Sequence, residues 1–288
     1  MKIAHISDLH VLALDGVPMS RFLNKRISGW ANLRLKRGSV HRAPYLRAIV
    51  AELARRSFDH VVVTGDLTNL ALESEFALAR DLIGDAIGLD PSRVTVVPGN
   101  HDLYTRGSRD SRRFERYFGA WLESDLPELA VDVGGARFPV VKLRGQVAIV
   151  GLSSAVPRPP FVAAGEIGRE QARALARVLE HPEVARRTLV LALHHPVVDD
   201  WSGLKRYVEG LRDAPTLLRL LQPIDGGLVL HGHLHRRIQR PIGGGAMRQI
   251  GATSASLHNE SPGRMAGFNV YELEPGGTFT IAAHVYRP

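Results

Sequence analysis

The chain has 288 residues, 44% hydrophobic and 23% charged, which suits a globular protein with one large α/β domain or two small ones and excludes a fibrous or wholly disordered chain. It contains no cysteine, so disulfides, zinc–thiolate sites and thiol nucleophiles are excluded, and any metal must be held by His, Asp, Glu, Asn or backbone oxygen. The formal charge of +8 is local: between Gly16 and Ala51 stand eight Lys/Arg and no Asp or Glu, which points to a localised anionic partner.

The N-terminus shows no signal-peptide pattern, and no run approaches the ~18 apolar residues of a membrane span, so a cytoplasmic protein is expected. Lys2–Ile6 reads as a first strand ending in Ser7-Asp8-Leu9-His10. Residues 44–56 read as a helix, with Pro44 in its first turn and Leu46, Ile49, Val50 and Leu53 at helical spacing. His60–Val63 is a buried strand running into Thr64-Gly65-Asp66, and Glu73–Ile87 is helical. Residues 94–97 form a strand ending in Pro98-Gly99-Asn100-His101-Asp102, and residues 109–122 a charged, aromatic-rich helix. Residues 138–143 and 146–152 read as a hairpin about Arg144-Gly145, followed by a helix over 169–179. Residues 189–193 run into His194-His195-Pro196, and 228–230 into His231-Gly232-His233-Leu234-His235. Strand patterns at 247–250, 269–273 and 278–285 close the chain. With no internal repeat and no Pro/Gly/Ser linker, residues 1–288 read as one domain. The β/α order followed by a β-rich tail predicts a four-layer αββα sandwich, two mixed β-sheets flanked by helices.

Five polar clusters each follow an apolar run, and ligand sites in α/β sheets gather at the carboxyl ends of strands. The clusters supply Asp8, His10, Asp66, Asn100, His194, His233 and His235: two carboxylates, an amide oxygen and four imidazoles. One ion takes about four to six ligands, so seven, with one carboxylate shared, suit two divalent ions roughly 3.5–4 Å apart. Nitrogen and oxygen donors without sulfur favour Mn2+, with Fe or Zn as alternatives, over Ca or Mg.

The order D-x-H, G-D, G-N-H-D, H, G-H-x-H, spread over residues 8–235, resembles the calcineurin-like metallophosphoesterase superfamily. That resemblance implies that Asp66 bridges both ions, that Asp8, His10 and His235 complete one site, and that Asn100, His194 and His233 complete the other. It also makes His101 a non-ligand acid that steadies the phosphate and protonates the leaving oxygen, oriented by Asp102. The expected reaction is hydrolysis of a phosphodiester or pyrophosphate bond by a bridging hydroxide. Purple acid phosphatases of the superfamily carry Tyr three residues after the bridging Asp; Asn69 stands there, so two divalent ions fit better than a ferric site.

His195, held extended by Pro196, is a candidate to touch substrate or to back the ligands, and His258 with Asn259 to contact a leaving group. His231 alternates with His233 and His235, which puts it on their side without a direct role expected. His5, His60, His181 and His284 read as structural or exposed.

The segment over 20–42 is expected to be a basic, amphipathic, partly helical insert beside the metal site. Ser20 is a candidate cap, and Leu23, Ile27 and Trp30 share a face with Arg21, Lys25 and Arg26 elsewhere. Basic residues beside Phe22 and Trp30 favour an anionic membrane surface or lipid substrate. The blander alternative is an insert packed on the domain with its charges solvated. Aromatic residues are too sparse for a nucleic-acid platform. The segment makes the chain similar to the chlamydial type of UDP-2,3-diacylglucosamine hydrolase, implying a lipid A precursor as substrate and peripheral association with the inner membrane. The His-His-Pro motif and compact size instead resemble class III cyclic nucleotide phosphodiesterases, which with a glycerophosphodiesterase form the alternative. A catalytically silent binding module is the third reading. No pattern in the sequence sets an oligomeric state.

Overall fold

The computed structural model describes residues 1–22, 26, 41–274 and 277–287. In chain order the elements are β1 (Lys2–Ile6), α1 (Ala43–Arg55), β2 (His60–Val63), α2 (Glu73–Ile87), β3 (Val94–Val96), α3 (Arg106–Asp110), α4 (Arg113–Phe118), β4 (Val131–Val133), β5 (Ala136–Phe138), β6 (Val140–Arg144), β7 (Val147–Gly151), α5 (Arg169–Glu180), α6 (Pro182–Ala185), β8 (Thr188–Ala192), α7 (Gly203–Glu209), α8 (Ala214–Leu221), β9 (Leu228–His231), β10 (Ile238–Pro241), β11 (Arg248–Gly251), β12 (Gly267–Leu273) and β13 (Phe279–Val285). One sheet runs β13-β12-β1-β2-β3 and the other β10-β11-β9-β8-β7-β6, with β4 and β5 as a separate hairpin. Both large sheets are mixed. β1, β2 and β3 are parallel while β12 is antiparallel to β1, and β7, β8, β9 and β11 are parallel between antiparallel edges.

Strands buried on both faces explain why the apolar runs are continuous. In the second sheet Ile149, Val190, Ala192, Leu228 and Leu230 join the core shared with the first sheet. Their alternates Ala148, Val150, Leu189, Leu191 and Val229 pack with Leu175 and Val178 of α5 and with Leu217 of α8. Period-two alternation therefore divides two cores between one set of strands. The expected αββα sandwich is what forms. No helix among the described residues is long and apolar enough to cross a membrane.

Residues 109–122 depart from expectation. Arg112 has φ 50°, and the chain breaks there into α3, α4 and a 3-10 turn over Gly119–Leu122, so a left-handed residue interrupts a pattern that looks continuous in sequence. The β4–β5 hairpin and helices α7 and α8 carry no distinct signal in the sequence. Of the basic segment, Leu23, Lys25, Ile27 and Trp30 lie outside the described residues, and Met19–Phe22 is a 3-10 turn.

The topology brings the carboxyl ends of β1, β2, β3, β8 and β9 to one edge, where their loops touch. A Cβ on Gly99 would lie 2.2 Å from Asp66 Oδ1, and one on Gly232 would lie 1.9 Å from Ser7 Oγ and 2.4 Å from Asp8 Oδ2. Only glycine lets these loops approach so closely. Gly99→Ala is expected to lose about 1–3 kcal/mol in urea unfolding, the usual cost of overpacking. Gly203→Ala, whose Cβ meets nothing within 4 Å, should stay within about 0.5 kcal/mol. Equal stability of the two variants would show that the loops are not packed this way.

Candidate dinuclear metal centre

The seven expected donors converge at that edge. Asp8 and His10 follow β1, Asp66 follows β2, Asn100 follows β3, His194 follows β8, and His233 and His235 follow β9. Asp8 (φ 53°), His10 (48°), Asp66 (50°), His233 (65°) and His235 (47°) all have left-handed backbones. Such strain in non-glycine residues persists only where the surroundings enforce it, and it collects at functional sites.

On one side His10 Nε2 lies 3.1 Å from His235 Nε2, and His235 Nε2 lies 3.1 Å from Asp8 Oδ1. Asp66 Oδ2 is 3.9 Å from His10 Nε2. On the other side His194 Nε2 is 3.3 Å from Asp66 Oδ2 and 3.2 Å from Asn100 Oδ1. Asp66 therefore faces both groups. Two imidazole nitrogens pointing at each other beside carboxylate oxygens make poor hydrogen bonds but a suitable donor set for a divalent ion. The arrangement fits two ions sharing Asp66.

Backbone acceptors orient the rings. His194 Nδ1 donates to Thr64 O at 2.7 Å, leaving Nε2 toward Asp66. His233 Nε2 donates to Glu209 O at 2.9 Å, leaving Nδ1 as its donor atom. Burial, then neighbouring His41, pushes His10 well below the usual imidazole range, and burial with His195 and His194 does the same to His233; both rings are thus neutral, as ligands must be. Burial opposes the charge of Asp66, but His194, His101 and His10 outweigh it and hold the carboxyl well below the usual range. His194 is the counterpart: burial disfavours its charge, yet Asp66 raises it to about 9.

His101 Nδ1 donates to Asn69 O at 2.7 Å, its ring stacks on Tyr104 at 5.5 Å, and it lines a cleft of about 750 Å³. The resemblance makes Asp102 the residue that orients this ring; the structure uses it otherwise. Its carboxylate accepts from the backbone of Gly99 (2.9 Å), Thr68 (3.0 Å) and Leu67 (3.3 Å) and from Thr68 Oγ1 (3.0 Å). Asp102 thus staples the Asn100 loop to the Asp66 loop, and the Asn69 carbonyl holds His101. Asn69 in turn donates its amide to His10 O and Val11 O.

Other expected contacts go elsewhere. His195 uses Nδ1 on Ser154 Oγ and Nε2 on Ala163 O, both at 2.8 Å, so it backs His194 and His233 and has no nitrogen left for substrate. His258 turns to the Tyr45 hydroxyl, away from the cleft that Asn259 lines. β9 ends at His231, so the alternation stops there and His231 is buried on Gly232 O. His5 and His60 are buried between strands, bonded to Tyr271 and Thr64 and to Thr95. Arg21 pairs with Glu73. Arg26 is buried with Nε on Leu70 O (2.7 Å) and Nη2 on Ala71 O (3.1 Å). Arg26 thereby binds carbonyls of the loop that follows Asn69, while Arg21 meets the Glu73 carboxylate at the start of α2.

The sequence reading missed His41. Its ring lies 4.5 Å from that of His10 and 5.5 Å from that of His235. It follows no strand and sits in a basic run, so no local signal marked it.

Comparison with known proteins agrees with this geometry. Residues 1–237 match the family model described as calcineurin-like phosphoesterase. The chain belongs to that family. It is accordingly a metal-dependent phosphoester hydrolase, and the family implies two divalent ions. The chain is 26% identical over 288 residues, covering 99% of itself and 92% of its relative, to a probable cyclic nucleotide phosphodiesterase of Synechococcus sp.. Its fold is like that of a dimetal phosphatase from Danio rerio, with TM-score 0.63, 18% identity and coverage of 98% and 95% of the two chains. It is also like the sulfate thiohydrolase SoxB of Thermus thermophilus, with TM-score 0.53, 17% identity and coverage of 98% and 56%.

Asp66→Ala is expected to abolish hydrolysis and to leave fewer than two ions per chain by elemental analysis. Because His194 is protonated up to about pH 9 in the metal-free protein and must be neutral to bind, metal uptake should release protons. Apparent affinity should then fall as pH drops from 8 to 6. Calorimetry in buffers of different ionisation heat checks this; no proton release would contradict the pairing of His194 with Asp66.

Proposed function

We propose that the chain hydrolyses a small phosphodiester of the nucleotide type, a 3',5'-cyclic nucleotide foremost, with Asp8, His10, Asp66 and His235 holding one divalent ion and Asp66, Asn100, His194 and His233 the other. Mn2+ is the favoured metal on donor chemistry. When bound, the ions polarise the phosphoryl oxygens and provide a nucleophile from water near neutral pH.

The observation that carries the substrate reading is the cleft. Its roughly 750 Å³ falls in the range of small-molecule sites. His101 and Asn100 line one part, while Phe161 and Trp201 offer aromatic faces and Lys205, Arg236 and Arg264 positive charge. Phe161 is 87% exposed, an uncommon state for Phe and one suited to stacking on a flat base. The Synechococcus relative, matched along almost its whole length, supports the same reading.

His101 supplies the acid. Asn69 O can only accept, so Nδ1 of His101 carries a proton. The imidazolium carries a second proton on Nε2, which it gives to the departing oxygen. Asn69 and Tyr104 keep the ring from turning away.

The lipid-nucleotide reading, ranked first on sequence, becomes the second. It rests on the charge of the segment over 20–42, and Arg21 and Arg26 of that segment bind the protein's own Glu73, Leu70 and Ala71. A hydrolysis panel with Mn2+ separates the two. Cyclic AMP should be turned over at a kcat/KM at least tenfold above that for UDP-2,3-diacylglucosamine or a glycerophosphodiester. The reverse order would restore the lipid reading, and no turnover of any of them would favour a binding module. His101→Ala should slow cyclic AMP hydrolysis about 10²–10⁴-fold with both ions retained. The loss should be smaller on bis(p-nitrophenyl) phosphate, whose leaving group needs no acid; equal losses would remove His101 from the acid role.

A further inference from the structure

The carbonyl that orients His101, Asn69 O, accepts from its Nδ1 at 2.7 Å. That oxygen belongs to the same peptide group as the N–H of Leu70. A trans peptide is planar, with its C=O and N–H pointing opposite ways, so whatever fixes the N–H also aims the carbonyl. The Leu70 N–H donates to Glu75 Oε2 at 2.9 Å. A short chain therefore runs from the Glu75 carboxyl through one peptide group to the His101 ring. Hydrogen bonds in such a chain polarise one another, so an acceptor on the N–H also makes Asn69 O a better acceptor for Nδ1–H.

Glu75 is fully buried, and it does more than a helix end requires. Its bond from Leu72 N–H at 3.1 Å is the ordinary service of a Glu in the first turn of a helix, here α2. The bond from Leu70 N–H reaches back beyond the helix to the turn. The peptide ending at Leu72 is held from its other side too, because Ala71 O accepts from Arg26 Nη2 at 3.1 Å and Arg113 Nη1 at 2.9 Å. Asn69 is fixed in turn by its side chain, whose Nδ2 donates to His10 O at 2.6 Å and Val11 O at 3.0 Å. Between them Ala71 is kept at φ 52°, a conformation that a non-glycine residue holds only where its surroundings enforce it. The Asp66 and Asn100 loops have their own tie through Asp102, so removal of Glu75 is expected to spare those metal donors.

We propose that Glu75 is a positioning residue for the general acid: it does not meet substrate, and it aims the Asn69–Leu70 peptide so that His101 stays directed at the departing oxygen. The proposal rests on the acid role given to His101 above.

The test uses the full-length protein loaded with Mn2+ and two esters that differ only in leaving group, methyl phenyl phosphate and methyl p-nitrophenyl phosphate. Thermal melting and elemental analysis verify folding and metal content for each variant. Glu75→Ala is expected to slow the phenyl ester about tenfold or more, part of the 10²–10⁴-fold that an acid is typically worth, and to slow the p-nitrophenyl ester less than about threefold. Glu75→Gln, which keeps an acceptor for the two N–H groups, should recover most of the loss. In the Glu75→Ala/His101→Ala double variant the phenyl ester should react no more than about twofold slower than with His101→Ala alone, because residues acting through one group are not additive. If Glu75→Ala does not fold, Glu75→Asp, too short to reach both N–H groups, takes its place with the same pattern expected. Equal losses on the two esters, or losses that multiply in the double variant, would make Glu75 a helix cap alone and overturn the proposal. If His101→Ala itself slows both esters equally, the acid reading fails and the proposal falls with it.

Discussion

Two carboxylates, Asp8 and Asp66, lie buried where the two sheets meet, and the surrounding structure answers the cost of that burial. An unpaired carboxylate in such a place is strongly disfavoured. Backbone N–H groups are therefore aimed at both: His101 N at Asp66 Oδ1 and His233 N at Asp8. Imidazoles fill the remaining approaches. Divalent ions, when bound, would take the place of the proton that His194 otherwise carries beside Asp66. The same concentration of positive charge is what a phosphoryl group meets when it arrives.

Holding donors this close requires backbone that ordinary strands do not supply. Five of the seven donors sit at positive φ, each immediately past a strand or within the turn that follows it. The strain is offset by the rigidity of what lies below, where β1, β2, β8 and β9 are buried on both faces. It is offset also by loop-to-loop ties such as the Asp102 staple and the Ser254–Asp8 bond. The strands resist displacement, and the loops take the unfavourable conformations.

The basic stretch near the N-terminus shows how formal charge misleads when read without neighbours. Arg26 and Arg113 both donate to Ala71 O, at a residue that itself has φ 52°. Arg113 and Arg21 also pair with Glu73. Glu75 sits beneath, its carboxyl pushed up to about 8 by burial, accepting from Leu70 and Leu72 N–H. These groups brace the turn that presents Asn69 O to His101. Part of the charge that suggests an external anion therefore supports the loop that carries Asn69.

The sequence by itself determined the strands that carry the site, because runs such as residues 61–63 and 189–193 are apolar on consecutive positions. It also marked the seven expected donors, since each follows such a run and parallel strands deliver their carboxyl ends to one edge. Tertiary structure alone decided the rest. The break at Arg112 depends on a left-handed backbone that no composition signals. Asp102, His195 and His258 carry the right chemistry for catalysis, but their partners come from distant loops: Leu67 and Thr68, Ser154 and Ala163, and Tyr45. His41 has the opposite history, a histidine with no local motif carried beside His10 by a bridge to Leu257, 216 positions along the chain. Short-range pattern records what a segment buries; which nitrogen or oxygen it finally faces is set by contacts tens to hundreds of residues away.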